Sequence, residues 1–177
     1  MRCVLCLLAI FVLGTGAAIA VDLPAIDKWV NYEAPDKSFK AIFPSDPKQS
    51  EQPAGTLKIA MYTVELGDTG ALLIATNPIS KVDTTDTKLV KSVIDGGVKG
   101  AMNNLKGKIT KETDINWQDK FPGRDVEIAA KLGELDVIVH VKMILANDKL
   151  YQVMAAGVKE TISKPEVDKF LNSLEIQ

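Results

Sequence analysis

The chain has 177 residues, 46% of them apolar, with 21 basic side chains, 23 acidic ones and a single histidine. A chain of this length normally forms one domain and buries roughly 68–70% of the surface that its unfolded form exposes. This composition argues against a disulfide-stapled miniprotein, a disordered tail, a basic nucleic-acid binder and a multi-domain enzyme.

The first twenty residues predict a secretory signal peptide. A short basic start precedes an apolar run at 3–13, and Ala-Ile-Ala at 18–20 has the small-residue pattern of a cleavage site. The alternative is a membrane anchor, but spanning a bilayer needs roughly 20 apolar residues, and Gly-Thr-Gly at 14–16 interrupts this run. We therefore expect cleavage after Ala20 and an exported, soluble protein that starts at Val21, with no stable membrane anchor.

Both cysteines, Cys3 and Cys6, lie inside that segment, so the expected mature chain has none. This excludes disulfides, thiol catalysis and thiolate metal sites from the mature protein. It also argues against a lipoprotein, because a lipid-bearing cysteine would follow the apolar run. N-glycosylation is not expected either, because the sequence contains no Asn-x-Ser/Thr sequon.

The mature chain is expected to be one domain, 21–177, that begins with strands. Apolar and β-branched residues predict them at 29–32, 39–43, 56–66 and 71–77. A four-residue hairpin loop, Gly67-Asp68-Thr69-Gly70, would join the last two. The stretch 44–55 contains three prolines among charged residues and predicts a surface loop.

A helix of about 18 residues is predicted next, because apolar residues recur at helical spacing from Leu89 to Leu105. Gly96, Gly97 and Gly100 lie within it, each costing roughly 1 kcal/mol relative to alanine. They could line a ligand surface with bare backbone, or they could let the helix pack closely on a sheet. The position of Gly97 on the apolar side favours close packing.

A strand with one wet face is predicted at 108–117, where Ile109, Ile115 and Trp117 fall on one side of a strict alternation. The run Phe121-Pro122-Gly123-Arg124 predicts the turn that ends this strand.

The best-specified element is the next hairpin, with Gly133-Glu134 as a two-residue turn. Residues then pair when their numbers add to 267. Apolar residues meet on one face, and the other face pairs Lys131 with Asp136, Glu127 with His140 and Asp125 with Lys142. A slip of one residue would turn one strand's apolar set to the wrong face.

A further strand at 150–158 follows an Asn147-Asp148 turn, and a final helix has Ser163 as N-cap with Glu166 completing a capping box. The predicted order is four strands, a helix, four strands and a helix. Because most of the strands are joined by hairpins, the sheet is expected to be mainly antiparallel, and the fold class is α+β.

Several short motifs resemble a known family. They are Trp29-x-x-Tyr32-x-x-Pro35, Phe39-Lys40-Ala41-Ile42-Phe43-Pro44, Phe121-Pro122-Gly123-Arg124-Asp125-Val126-Glu127, Leu150-Tyr151-Gln152-Val153 and Phe170-x-x-Ser173-Leu174. The chain resembles the PsbP-like α/β/α sandwich, in particular uncharacterised exported bacterial members. The resemblance implies a single domain with a curved, mainly antiparallel sheet of about seven or eight strands covered by two helices. It also implies a binding or accessory role. PsbP itself assists the manganese–calcium cluster of photosystem II, but no residue set here matches that role.

The candidate catalytic residues are His140, Glu127 and Tyr151. Glu127, opposite His140, could orient the imidazole as a general base. The sequence contains no G-x-S-x-G motif to supply a nucleophile. The alternative is a structural histidine paired across a sheet, which we favour because a catalytic site needs several convergent groups.

The candidate metal ligands are Asp83 and Asp86, whose carboxylates could bind a hard cation together with nearby threonines. The alternative, which we favour, is that the same residues cap the N-terminus of the central helix. A zinc site is not expected, because one histidine and no mature cysteine provide too few of the usual zinc ligands. We therefore expect neither a metal nor another cofactor.

Arg124 is the one arginine of the expected mature chain, beside 19 lysines. It could grip an anion or pair with a nearby carboxylate, and we favour the pairing. Nucleotide and nucleic-acid ligands are not expected, because arginine is scarce, the mature net charge is about −3 and the sequence contains no phosphate-binding loop.

Two functions are compatible with these patterns. The leading hypothesis is an exported, non-catalytic domain that binds a protein or a small ligand in the cell envelope or the medium. The alternative is a small hydrolytic or metal-assisted enzyme that uses His140 with Glu127.

Overall fold

A computed structural model describes residues 29–67, 70–79, 82–163 and 165–177. The predicted signal peptide and its cleavage site lie outside these ranges, and so does the centre of the predicted loop between Gly67 and Gly70.

Ten strands and three helices form the described chain. The strands are β1 Val30–Glu33, β2 Phe39–Phe43, β3 Lys48–Ala54, β4 Leu57–Glu65, β5 Gly70–Pro78, β6 Lys108–Trp117, β7 Phe121–Leu132, β8 Leu135–Ala146, β9 Lys149–Gly157 and β10 Glu175–Ile176. The helices are α1 Thr87–Leu105, α2 Lys159–Ile162 and α3 Pro165–Leu171. None of these three helices is long and apolar enough to cross a membrane.

Seven strands form the main antiparallel sheet, in the order β3-β4-β5-β9-β8-β7-β6, and β1-β2-β10 form a small second sheet. One face of the main sheet packs against α1 through an apolar cluster that includes Ile94, Ile128 and Val139. The other face contributes Ile74 and Tyr151 to a larger cluster that contains residues of the small sheet and of α2 and α3. The α+β class and the single domain are confirmed.

The register of the β7–β8 hairpin is confirmed throughout. Glu127 lies opposite His140, Ile128 opposite Val139 and Lys131 opposite Asp136. Gly133 has a φ of 63°, the left-handed value that the first turn position requires. The Asn147-Asp148 turn between β8 and β9 is also confirmed, with φ values of 48° and 59°.

The prediction of a surface loop at 44–55 was wrong, because β3 occupies most of it and pairs with β4 along its full length. Its polar composition gives little strand signal. The strand forms because β4 provides a partner, and Pro53 is tolerated because an edge strand needs hydrogen bonds on one side alone.

The predicted turn at 121–124 was also wrong, because those residues begin β7. The chain reverses three residues earlier, where Gln118 and Asp119 adopt positive φ and the amide of Lys120 donates to the carbonyl of Trp117. Pro122 and Gly123 therefore lie inside a strand.

The expected strict alternation of β6 fails at Thr110, where a bulge shifts the register between Ile109 and Lys111. One extra residue turns every later side chain to the other face. As a result Ile109 packs in the cluster of α1, whereas Ile115 and Trp117 pack against the opposite cluster.

Two elements near the C-terminus were missed. The single helix expected after 158 is divided into α2 and α3, and β10 follows them. The hydroxyl of Ser163 donates to the carbonyl of Lys159 and so caps the end of α2, where an N-cap had been predicted.

Candidate functional site

An open cavity of about 330 Å³ lies between α1 and the edge of the main sheet at β6, and we call it the α1–β6 groove. Its lining comes from three elements. They are α1 with Lys91, Asp95, Val98, Lys99 and Met102, β6 with Ile109 and Glu112, and β7 with Arg124.

Local structure explains why these side chains meet. The five residues from α1 recur at intervals of three and four, so they form one flank of the helix. The bulge at Thr110 places Glu112 and Asp114 on the α1 side of β6, opposite Val126 and Arg124 of β7. The groove therefore depends on an irregularity that a strict alternation does not show.

Arg124 lies at the base of the groove and joins three carboxylates. Its Nε donates to Asp114 Oδ1 at 2.8 Å, and its Nη1 donates to Asp95 Oδ1 at 2.5 Å and to Glu112 Oε1 at 2.7 Å. The Arg124 side chain is 9% exposed. Arg124, on β7, thus links α1 to β6 through its ion pairs. The predicted pairing of Arg124 with a carboxylate is present.

The contacts within this cluster shift the pKa values of Arg124 and Asp95 in directions that favour their charged forms. Burial lowers the pKa of Arg124, but the hydrogen bonds that it donates to Glu112, Asp114 and Asp95 outweigh this effect, and the net pKa is raised. Burial raises the pKa of Asp95, but the hydrogen bond and charge of Arg124, together with Lys91, bring it below the ordinary value.

Negative charge exceeds positive charge around Arg124 itself. Three carboxylates share one guanidinium, and Lys91 Nζ lies 3.5 Å from Asp95 Oδ1. Lys99, one turn after Asp95 on α1, forms no ion pair within the described part of the chain.

The predicted pair of His140 and Glu127 is present on the face of the main sheet opposite α1. His140 Nε2 lies 3.4 Å from Glu127 Oε2, and both side chains are about one-third exposed, at 31% and 32%. Glu127 Oε1 also accepts a hydrogen bond from Thr110 Oγ1 at 2.5 Å.

Tyr151, the third candidate catalytic residue, lies in a different place. It is fully buried, and its hydroxyl donates to the carbonyl of Ser38 at 3.3 Å. His140 pairs with Ala155, four residues along β9 from Tyr151, a separation of roughly 13 Å along a strand. The structure therefore does not bring Tyr151 to the pair of His140 and Glu127.

The two candidate metal ligands lie in the turn before α1. Asp83 Oδ1 accepts hydrogen bonds from the amide and hydroxyl of Thr85, at 2.9 and 2.7 Å. Asp86 is the N-cap of α1 and accepts from the amides of Lys88 and Leu89 at 3.0 and 3.1 Å. Among the residues that the structure describes, no group of three His, Cys, Asp or Glu side chains could hold a metal ion.

The three glycines of α1 have different surroundings. A Cβ added to Gly97 would lie 2.8 Å from Leu150 Cδ2 and 3.4 Å from Met143 Sδ, whereas one added to Gly96 or Gly100 would meet nothing within 4 Å. Close packing on the sheet is therefore confirmed for Gly97 and does not explain the other two.

Known proteins were compared with this chain by sequence and by structure. No known protein-family model matches it. No curated protein matches it either.

Solved structures do match it over most of its length. Cyanobacterial PsbP from Synechocystis sp. PCC 6803 covers 93% of this chain and 99% of its own, with a TM-score of 0.60 and 10% sequence identity. The fold is PsbP-like. A protein of unknown function from Pseudomonas aeruginosa covers 84% of this chain and 97% of its own, with a TM-score of 0.51 and 12% identity.

At these identities the likeness establishes the fold alone. It confirms the resemblance to PsbP-like domains that the sequence motifs indicated. Among the residues that the structure describes, the α1–β6 groove brings the buried side chain of Arg124 together with apolar side chains at an open surface, and sequence reasoning missed it. Its available signals were a lone arginine and two acidic residues at alternate positions of the neighbouring strand.

Proposed function

We propose that this protein is an exported, non-catalytic accessory domain that binds a partner outside the cytoplasm at the α1–β6 groove. The groove itself carries the proposal, because it joins an apolar floor of Val98, Met102 and Ile109 to ordered charges. Such a mixture of apolar surface and a few fixed polar groups is typical of binding sites. Export is supported by the signal-peptide pattern of residues 1–20.

The arrangement of the candidate catalytic residues supports binding over catalysis. Acid–base catalysis needs a base within hydrogen-bond reach of a reacting group, together with donors for developing charge. His140 is about one-third exposed and contacts one carboxylate, that of Glu127, and Tyr151 is buried elsewhere. A histidine paired with a carboxylate is also a common way to satisfy a half-buried polar position.

The test uses ¹⁵N-labelled protein starting at Val21, titrated with small-molecule and peptide libraries and followed by NMR. We expect the shifted amides to cluster on the groove, and a folded Met102→Glu variant to lose binding because it places a charge on the apolar floor. His140→Gln is the matched control and should keep the wild-type affinity. Ester, phosphate and glycoside substrates should not be turned over. Turnover that His140→Gln abolishes would establish the enzyme alternative instead.

A further inference from the structure

We propose that the outer edge of β6 binds an extended, basic segment of a partner protein, which adds to the main sheet as a further strand. The inference rests on the proposed binding function and names its partner class. β6 is ten residues long and ends the seven-stranded sheet, paired with β7 on one side. Within the described ranges, the outward backbone groups of residues 111–116 make no other hydrogen bond.

Exposed backbone of this kind can pair with an extended peptide. Residues 111–114 are all exposed, so their side chains leave the edge accessible. The edge at the other end of the sheet, β3, is less suited because Pro53 lacks an amide hydrogen. The bulge at Thr110 limits regular pairing to the part of β6 that follows it.

The charge of the edge defines the chemistry of the partner. Glu112 and Asp114 lie two residues apart on the α1 face and share the single guanidinium of Arg124 with Asp95. In an added strand, side chains directly opposite one another lie about 4.5–5.5 Å apart on the same face. Lysine or arginine at alternate positions of the partner would therefore face these two carboxylates and offset the excess negative charge.

The other face of the edge calls for apolar side chains between the basic ones. Lys111, Thr113, Ile115 and Trp117 project there. Lys111 adds one positive charge next to the bulge, and Ile115 and Trp117 are partly exposed at the margin of the larger apolar cluster. A partner strand that alternates basic and apolar residues fits both faces.

A second copy of this chain does not fit the edge. In antiparallel pairing of β6 with itself, residues directly opposite one another share a face, so Glu112 would meet Asp114 or its own counterpart. Like charges in directly opposite positions destabilise a sheet. The partner is therefore a different, basic segment.

The experiment titrates the labelled protein with an eight-residue peptide of alternating Lys and Val, and with a Glu-Val peptide as its charge-reversed control. We expect the Lys-Val peptide to shift the amides of residues 111–117 and to protect them from hydrogen exchange. The Glu-Val peptide should bind at least about fourfold more weakly, because two attractive cross-strand pairs become repulsive. Affinity should fall as salt is added.

Variants and backbone-modified peptides test the geometry. Glu112→Gln with Asp114→Asn keeps the hydrogen-bonding shape but removes the charges, and should weaken Lys-Val binding about three- to tenfold. Glu51→Gln on β3 is the matched control on the other edge and should change nothing. Two Lys-Val peptides carry N-methyl groups on opposite sets of alternate backbone nitrogens. The peptide whose methylated nitrogens face β6 should lose binding, and the peptide whose methylated nitrogens face away should keep it.

Several results would overturn the inference. They are equal binding of the Lys-Val and Glu-Val peptides, full affinity of both N-methylated peptides, and amide shifts confined to other surfaces. Shifts elsewhere would refute the β6 site and leave the binding function intact. Turnover that His140→Gln abolishes would refute the proposed function, while the β6 site would still be judged by the peptides.

Discussion

At the scale of single residues, Arg124 is the one charged residue that is buried in the described part of the chain. Its guanidinium is nine-tenths buried, and three carboxylates from α1 and β6 accept its hydrogen bonds and compensate its charge. Removing one partner of a buried ion pair is costly, because the remaining charges lose their compensation. Arg124 thus holds α1 on the sheet through Asp95 and also contacts Glu112 and Asp114, the two carboxylates of the proposed edge site.

We predict that Arg124→Met lowers the free energy of unfolding by about 2–3 kcal/mol at pH 7. This is less than the 3–5 kcal/mol of a fully buried pair, because the carboxylates keep contact with water. Urea denaturation measures the loss. Arg124→Lys is the control and should recover part of the stability, since it restores the charge without the forked geometry.

The penalty of Arg124→Met should depend on pH. The pKa of Asp95 in the folded protein lies below its ordinary value of 3.8. A lowered carboxyl pKa contributes stability that is present above the unfolded value and is lost as the pH falls through the folded one. The difference between wild type and variant should therefore be full at pH 7 and shrink below about pH 4. An undiminished difference at pH 3 would assign the effect to packing.

At the scale of elements, α1 shows how one helix combines close packing with an open face. Val90, Ile94 and Val98 are buried against the sheet, and Gly97 lets the helix approach Leu150. Gly96 costs helix stability with no contact that requires it.

We predict different effects for alanine at the glycines of α1. Gly96→Ala and Gly100→Ala should each raise the free energy of unfolding by about 0.5–1 kcal/mol, because alanine reduces the entropy of the unfolded chain and meets no neighbour. Gly97→Ala should have a free energy of unfolding about 1–3 kcal/mol below those two variants, because Leu150 must move and this cost offsets the same gain. Thermal denaturation compares the three variants, and a stabilising Gly97→Ala would contradict the packing argument.

The β7–β8 hairpin provides a second test, since its register assigns Val139 to the core beneath α1. Val139 is fully buried, so Val139→Asp should cost about 3–5 kcal/mol. Lys131→Gln is the control, because the ion pair of Lys131 with Asp136 is exposed and should contribute under about 0.5 kcal/mol. Chemical denaturation that finds the two substitutions equally damaging would mean that the faces are misassigned.

Lys142, which the pattern places on the wetter face, is more enclosed than alternation suggests. Its side chain is 13% exposed, lies 3.2 Å from Asp125 and donates to Asn172 at 3.0 Å. Its ammonium also lies 5.2 Å from the centroid of the Trp117 ring. Long-range contacts with the segment after α3 therefore enclose a residue that local patterning leaves open.

At the scale of the molecule, the main sheet carries different layers on its two faces. α1 covers the β7–β8 region of one face, and the small sheet with α2 and α3 packs on the other. The α1–β6 groove and the β6 edge lie side by side at one margin of this arrangement. A partner strand at the edge would therefore also lie beside the groove.

We predict that the exported protein begins at Val21, because Ala18 and Ala20 meet the small-residue requirement of signal peptidase. Intact-mass measurement of exported material should show a chain without residues 1–20. The matched control is Ala20→Arg, which should block cleavage at this site. Exported wild-type material that retains the first twenty residues would contradict the prediction.

Several elements have signals that are local in the sequence, and these were predicted correctly. Alternation and opposite charges specified the register of β7 and β8, Gly133 and Asn147-Asp148 specified their turns, and helical periodicity specified α1. These features need neighbours close along the chain or a single partner strand, so residue types and spacing are sufficient to identify them.

Other features depend on partners that are distant in the sequence and come together when the chain folds. β3 exists because β4 pairs with it, and Thr110 forms a bulge because β7 imposes a register. The three carboxylates that contact Arg124 converge because α1 and β6 pack on either side of that residue. Side chains far apart in sequence become neighbours after folding, and one extra residue in a strand reverses every face that follows. The candidate site is built from such contacts, so local patterning could not reveal it.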